Sequence, residues 1–152
     1  MLRETHDFKT SAFAVFQRIQ KEFPNLEMEL IEPDEHLDLE LNIPAQHGLD
    51  FWIGLNLQGD ELHLCANGFW VEWFPCTEES VIEEYVAAVY GLINGTHRLK
   101  VVRRGQSVVK STLQRKGENG WIAVTGYSCL HIPWFRKKSI RYFRNGHSED
   151  HD

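Results

Sequence analysis

Two successive parts of this 152-residue sequence are each poor in charges of one sign. Residues 1–96 contain four Lys or Arg against 18 Asp or Glu, whereas residues 97–144 contain one acid, Glu118, against 12 Lys or Arg. Charges separated in this way either pair with each other across a fold or face different partners. The net charge of −6 is also unlike that of non-specific nucleic-acid binders, which usually carry a net positive domain.

Cysteine is scarce and long apolar runs are absent. The three cysteines form an odd set, which does not suggest a disulfide framework. No segment approaches the ~20 apolar residues that a membrane-spanning helix needs, and the first residues show no apolar run behind a basic start. We therefore expect no membrane span, no secretion signal and a cytoplasmic location.

Motifs for catalysis and cofactor binding are missing as well. The sequence has no glycine-rich phosphate-binding loop, no G-x-S-x-G and no H-E-x-x-H. Acids that alternate with apolar residues along a strand are typical of a solvated face rather than of a catalytic pair. An enzyme is thus without positive support, no cofactor is predicted, and a non-enzymatic protein is favoured.

Hydrophobic periodicity predicts a single α+β domain over residues 1–145. Apolar residues recur at helical spacing over 8–23 and again over 78–93. A period of two predicts five strands within 26–74 and three more within 98–131. Successive strands joined by short turns favour antiparallel pairing. We expect a largely antiparallel sheet of about seven to eight strands with both helices on one face, in the order α-β5-α-β3, and a sheet of this size can curl into a partial barrel.

The C-terminal part is less clearly patterned. Residues 134–144 fit a short helix or an edge strand, and residues 146–152 form a polar tail that we expect to be disordered. In size and acidity the chain is broadly similar to small secretion-chaperone modules, although five strands between two helices is more than expected of them.

Aromatic and acidic residues occupy the strand positions that would face away from the helices. Parity along the strands predicts one shared face for Trp52, Trp70, Glu72, Trp121 and Tyr127. Aromatic anchors ringed by charge are typical of protein-binding surfaces. We predict an interaction module of adaptor, chaperone or toxin-neutralising type that binds a protein partner, or a second copy of itself, through these residues. The competing interpretation is that the sheet closes and the aromatics belong to the core.

The segment 134–144 supports an alternative function. It mixes four aromatics with five cations, a pattern suited to single-stranded nucleic acid or to an anionic surface. The anion-binding residues in this hypothesis are Arg136, Lys137, Lys138, Arg141 and Arg144. The competing explanation is that these cations pair with acids on neighbouring strands of the same sheet.

A third alternative is a pocket for a small ligand or a metal. His63 and Cys65 form one pair at i, i+2 spacing, and Cys129 and His131 form another. If the two strands were neighbours, the four side chains could converge tetrahedrally on zinc. The spacing matches no known zinc signature, so these residues are candidates only and no metal is predicted.

Overall fold

The protein is described from a computed structural model, which covers residues 2–32 and 39–146 without the side chains of residues 2–6. The fold is α+β, with helices α1 (Leu2–Glu22) and α2 (Glu79–Asn94). One antiparallel sheet takes its strands in chain order: β1 (Glu29–Ile31), β2 (Leu39–Ile43), β3 (Ile53–Gln58), β4 (Glu61–Ala66) and β5 (Phe69–Trp73). A second antiparallel sheet has the spatial order β8-β7-β6-β9, formed by β6 (His97–Arg104), β7 (Ser107–Gly117), β8 (Gly120–Ser128) and β9 (Lys138–Phe143).

The prediction of one sheet is wrong. The strands described form two sheets, of five and four strands, and they do not close into a barrel. The sequence order of elements is as predicted up to β8, and the added strand is β9, an edge strand on β6 within the ambiguous segment 134–144. A period of two identifies strands but does not say which strands pair, and the chain changes sheets where α2 carries it from β5 to β6.

Alternation along the strands determines which face of the first sheet is buried. In β2, Leu41 is fully buried while its neighbours Glu40 and Asn42 are partly exposed. The two helices cover this apolar face, and the Tyr85 ring of α2 packs edge-on against Trp73 with centroids 5.4 Å apart. Other buried residues of the shared core are Phe16, Ile19, Leu55, Leu64, Phe69, Val89 and Leu92.

The ends of α2 follow from the local sequence. Helical spacing predicts a helix over 78–93, and α2 begins at Glu79, where Glu78 is the N-cap without a side-chain hydrogen bond. Gly95 ends the helix in the left-handed conformation at φ 80°, as the Asn94-Gly95 pair predicts. Gly91 lies directly against the start of β6, because a Cβ there would come within 1.7 Å of His97 Nδ1.

One face of the second sheet packs against the same core. Leu99 and Leu113, which pair in register, are fully buried in the shared cluster. Asn145, just after β9, is fully buried and links two distant backbone segments. Its Nδ2 donates to the Leu92 carbonyl oxygen at 3.0 Å, and its Oδ1 accepts from the Asp50 amide at 2.8 Å. This side chain therefore ties β9 to α2 and to the loop before β3.

The domain bounds of 1–145 stay a prediction, and residues 147–152 of the predicted tail lie outside the described residues. Neither helix of the described chain combines the length and the apolar character of a membrane span.

Candidate interaction surface

The first sheet has one face turned away from the helices, called the outer face below, and it carries Trp52, Trp70 and Glu72. Side chains on this face line up across β2 to β5 because the strands pair in register. One row consists of Asn42, Gly54, Cys65 and Trp70, and the next consists of Glu40, Asn56, His63 and Glu72. The second row therefore begins and ends with an acid, Glu40 and Glu72, and the first row ends with the indole of Trp70.

Trp52 lies over a glycine on this face. It precedes β3, and its indole occupies the space above Gly54, where a Cβ would come within 2.3 Å of two ring carbons. The indole Nε1 donates to Asn42 Oδ1 at 3.3 Å. A glycine inside a strand often marks a close approach of another group, so Gly54 is a signal that sequence reasoning missed.

Trp70 is held by a buried histidine. Its indole Nε1 donates to His63 Nδ1 at 3.1 Å, and the two rings meet at an angle of 64° with centroids 5.2 Å apart. His63 Nε2 lies 2.9 Å from Glu61 Oε2. Because Nδ1 accepts the hydrogen bond from the indole, the ring proton is on Nε2, which donates a hydrogen bond to the carboxylate. Both ring nitrogens are engaged, so His63 positions Trp70 instead of offering a free base.

Cys65 lies on β4, between the β3 position beneath Trp52 and the β5 position of Trp70. Its partners in the row are Gly54, beneath Trp52, and Trp70 itself. Burial, together with the nearby Glu40 carboxylate, raises the pKa of the Cys65 thiol to about 11. The thiol is therefore protonated at neutral pH and acts as a small apolar surface.

The indoles of this face are open to solvent. Trp52 is 44 % exposed and Trp70 is 50 % exposed, and Phe74, just past β5, is 58 % exposed. Singly exposed aromatics are ordinary, but aromatics grouped on one face with carboxylates are typical of binding surfaces. These side chains lie outside the core, contrary to the interpretation in which the sheet closes over them.

Trp121 and Tyr127 lie elsewhere, on β8 of the second sheet, so the five residues predicted to share one face are divided. Trp121 is half-buried, with the Arg98 guanidinium 4.2 Å from its ring centroid. The Tyr127 hydroxyl donates to the Gly68 carbonyl oxygen at 3.1 Å, which joins β8 to the turn between β4 and β5. Parity failed here because it relates residues only within one sheet.

The five predicted anion-binding cations are also divided. Arg136 and Lys137 lie in the loop before β9, and Lys138 begins that strand. Arg141 pairs with Val101 and so belongs to the opposite side of β9 from Lys138. Arg144 Nε donates to the Gly95 carbonyl oxygen at 2.7 Å, which fixes it to the end of α2.

The competing explanation, pairing of these cations with acids on neighbouring strands of one sheet, does not apply to strands β1–β5, because these acidic strands and the basic strands β6–β9 form separate sheets. Ion pairs with carboxylates join Lys9 to Glu32 and Arg18 to Glu83, and among the described residues Lys137 and Lys138 have no carboxylate partner. Lys137 and Lys138, which are both exposed, are therefore the cations of this set that can meet an outside group.

The four candidate metal ligands do not come together. His63 and Cys65 lie on β4, whose neighbours are β3 and β5, whereas Cys129 and His131 follow β8 in the other sheet. The condition for a shared tetrahedral site, two adjacent strands, is not met. Over residues 2–32 and 39–146 there is no group of three or more His, Cys, Asp or Glu suited to a metal ion.

Comparison with known proteins adds no family to this description. No protein-family model matches the sequence, and no curated protein or solved structure is significantly similar to it. The function is therefore argued from the surfaces of the molecule alone.

Proposed function

We propose that this protein is a non-enzymatic interaction module that binds a basic segment of a partner protein through the outer face of its first sheet. The observation that supports it is the pair of exposed, hydrogen-bonded indoles of Trp52 and Trp70 on a face that also carries Glu40 and Glu72. The adaptor, chaperone and toxin-neutralising roles all belong to this class.

The chemistry of the face favours a cationic and partly apolar ligand. Both indole N–H groups are already satisfied within the chain, so the rings offer their faces rather than their donors. Trp faces attract Lys and Arg by cation–π contact, and the carboxylates of Glu40 and Glu72 strengthen that preference. Gly54 and Trp70 are two strands apart, so their backbone positions lie about 10 Å apart along the row.

Holding the indoles in place before binding reduces the entropy that a complex loses. Trp52 is seated on Gly54, and Trp70 is bonded to a histidine that is itself bonded to Glu61. Fewer side-chain rotations are then frozen when the partner arrives. Pre-ordered aromatics of this kind often contribute most of the binding energy of an interface.

A second copy bound through the same face is the less favourable occupant. A two-fold dimer sets the same surface of both copies together, so Glu40, Glu61 and Glu72 of one copy would meet the acidic face of the other. Like charges brought together at an interface oppose association. The proposal therefore commits to a basic partner, and a dimer that forms through this face, seen as a doubled mass in sedimentation that reverts in Trp70→Ala, would contradict it.

Affinity capture with matched variants tests the proposal. We expect Trp52→Ala and Trp70→Ala to reduce the amount of captured partner at least about tenfold, because each removes a central aromatic anchor. Trp134→Ala is the matched control, since it removes an exposed tryptophan that lies outside the first sheet. If both outer-face variants, still folded by circular dichroism, retain every protein that the wild type retains, the proposal is wrong.

Gly54→Ala makes the same experiment more specific. This variant keeps both indoles but places a methyl group where the Trp52 ring lies. The Trp52 ring must move from its position above residue 54. We therefore expect the amount of captured partner to lie between the amounts captured by the wild type and by Trp52→Ala. Capture equal to the wild type would show that the position of the Trp52 ring does not matter.

A further inference from the structure

The second sheet has one end that lies away from α2, called the distal end below. Antiparallel pairing brings together there the end of β6, the start of β7, the end of β8 and the start of β9. The loop 129–137 joins β8 to β9 across this end. It is attached to the β6–β7 turn, since the Gly105 amide donates to the Lys137 carbonyl oxygen at 3.0 Å.

Large apolar side chains project from this loop. Leu130 is fully exposed, Phe135 is 84 % exposed and Trp134 is 73 % exposed. Together with Pro133 they form an apolar tip. Leu130, Trp134 and Phe135 belong neither to the buried core nor to the partly buried side chains packed against it, so burial within the chain does not explain them.

Cations surround the apolar tip. The Arg104 guanidinium lies 5.4 Å from the Trp134 ring centroid, and that of Arg136 lies 5.4 Å from the Phe135 centroid. Lys137 and Lys138 follow directly in the chain. The one acid of residues 97–144, Glu118, is in the β7–β8 turn at the opposite end of β7. The 11 residues of β7 separate that turn from the distal end, a distance of about 35 Å.

We propose that the distal end binds the surface of an anionic lipid bilayer. The side chains of Leu130, Trp134 and Phe135 would enter the boundary between headgroups and acyl chains. Arg104, Arg136, Lys137 and Lys138 would contact the phosphate and carboxylate groups of the lipids. Apolar side chains at a tip with cations behind them are the usual arrangement for interfacial binding, and Trp favours the headgroup level.

A bilayer fits this surface better than single-stranded nucleic acid does. Nucleic acid uses aromatic rings and cations, and Trp134 with Phe135 could supply those. It makes no use of the aliphatic Leu130, which is the most exposed side chain of the tip. A bilayer accommodates aliphatic and aromatic groups alike, and the lipid phosphates account for the cations.

Vesicle flotation tests the proposal with the full chain. We expect the protein to float with vesicles of phosphatidylcholine and phosphatidylserine and to bind pure phosphatidylcholine more weakly. Leu130→Ser with Phe135→Ser should weaken binding at least about tenfold, because two apolar side chains no longer leave water. Lys137→Gln with Lys138→Gln should weaken it by roughly fivefold for each charge removed.

Trp52→Ala serves as the control, because it removes an exposed indole from the other sheet and should bind vesicles as the wild type does. The residues changed at the tip are exposed, so unchanged thermal unfolding is expected and is checked for each variant. The proposal is overturned if the wild type does not float with anionic vesicles. It is also overturned if a single-stranded oligonucleotide binds with a dependence on Lys137 and Lys138 while Leu130→Ser with Phe135→Ser has no effect on vesicle binding. Neither result bears on the outer face of the first sheet.

Discussion

Asn145→Ala is expected to lower the free energy of unfolding by about 1–3 kcal/mol, the cost of leaving the buried Leu92 carbonyl oxygen without its partner. The side chain is fully buried, and it satisfies the Asp50 amide and the Leu92 carbonyl oxygen at once. Alanine can satisfy neither. Because those groups belong to the loop before β3 and to α2, the substitution also weakens the attachment of β9 to the rest of the domain.

Urea unfolding followed by tryptophan fluorescence measures this effect. Asn119→Ala is the matched control, since Asn119 is exposed in the β7–β8 turn and a surface substitution of this kind usually changes stability by less than ~0.5 kcal/mol. Equal midpoints for the two variants would contradict the role given to Asn145.

Gly91→Ala is expected to lower the free energy of unfolding by about 1–3 kcal/mol, the usual cost of overpacking. In an exposed helix the same change stabilises by about 1 kcal/mol, so the predicted sign is reversed. The reason is local: the new methyl group would lie 1.7 Å from His97 Nδ1 and 2.3 Å from its Cε1. The imidazole must move away from α2, which disturbs the start of β6.

A double-mutant cycle with His97→Ala separates the collision from other effects. Removing the imidazole leaves room for the methyl group, so Gly91→Ala should cost much less, or become stabilising, in the His97→Ala background. Such coupling is expected for residues in direct contact. Equal costs of Gly91→Ala in both backgrounds would show that the imidazole is not the obstacle.

Local structure was predictable where local chemistry determines it. The alternation of Leu39, Leu41 and Ile43 with polar residues correctly identifies the buried face of β2, because successive side chains of a strand point in opposite directions. Gly95 marks the end of α2 for an equally local reason, since its left-handed conformation costs glycine little.

Pairing over long distances was not predictable in the same way. No periodicity indicates that β6 belongs to a second sheet, or that β9 pairs with β6. Consequently, parity along the strands places Trp121 and Tyr127 on a face that they do not share with Trp52. Asn145 shows the same limit, because a polar residue before a polar tail gives no sign of burial, and only the positions of Asp50 and Leu92 in space create its role.

The two sheets also explain the uneven charge of the chain. The acidic first part supplies the outer face with Glu40, Glu61 and Glu72, and the basic second part supplies the distal end. Because the acidic and the basic strands do not pair with each other, the outer face remains negatively charged and the distal end remains positively charged. A protein built in this way can attract two ligands of opposite charge at separate places.

Tryptophan footprinting tests the central claim, the binding role of the outer face, most directly. The protein would be oxidised by hydroxyl radicals alone and in complex with its captured partner, and the modification of each tryptophan measured by mass spectrometry. We predict that the partner protects Trp52 and Trp70 while Trp134 stays as reactive as in the free protein. Unchanged reactivity of Trp52 and Trp70 in the complex would contradict the claim.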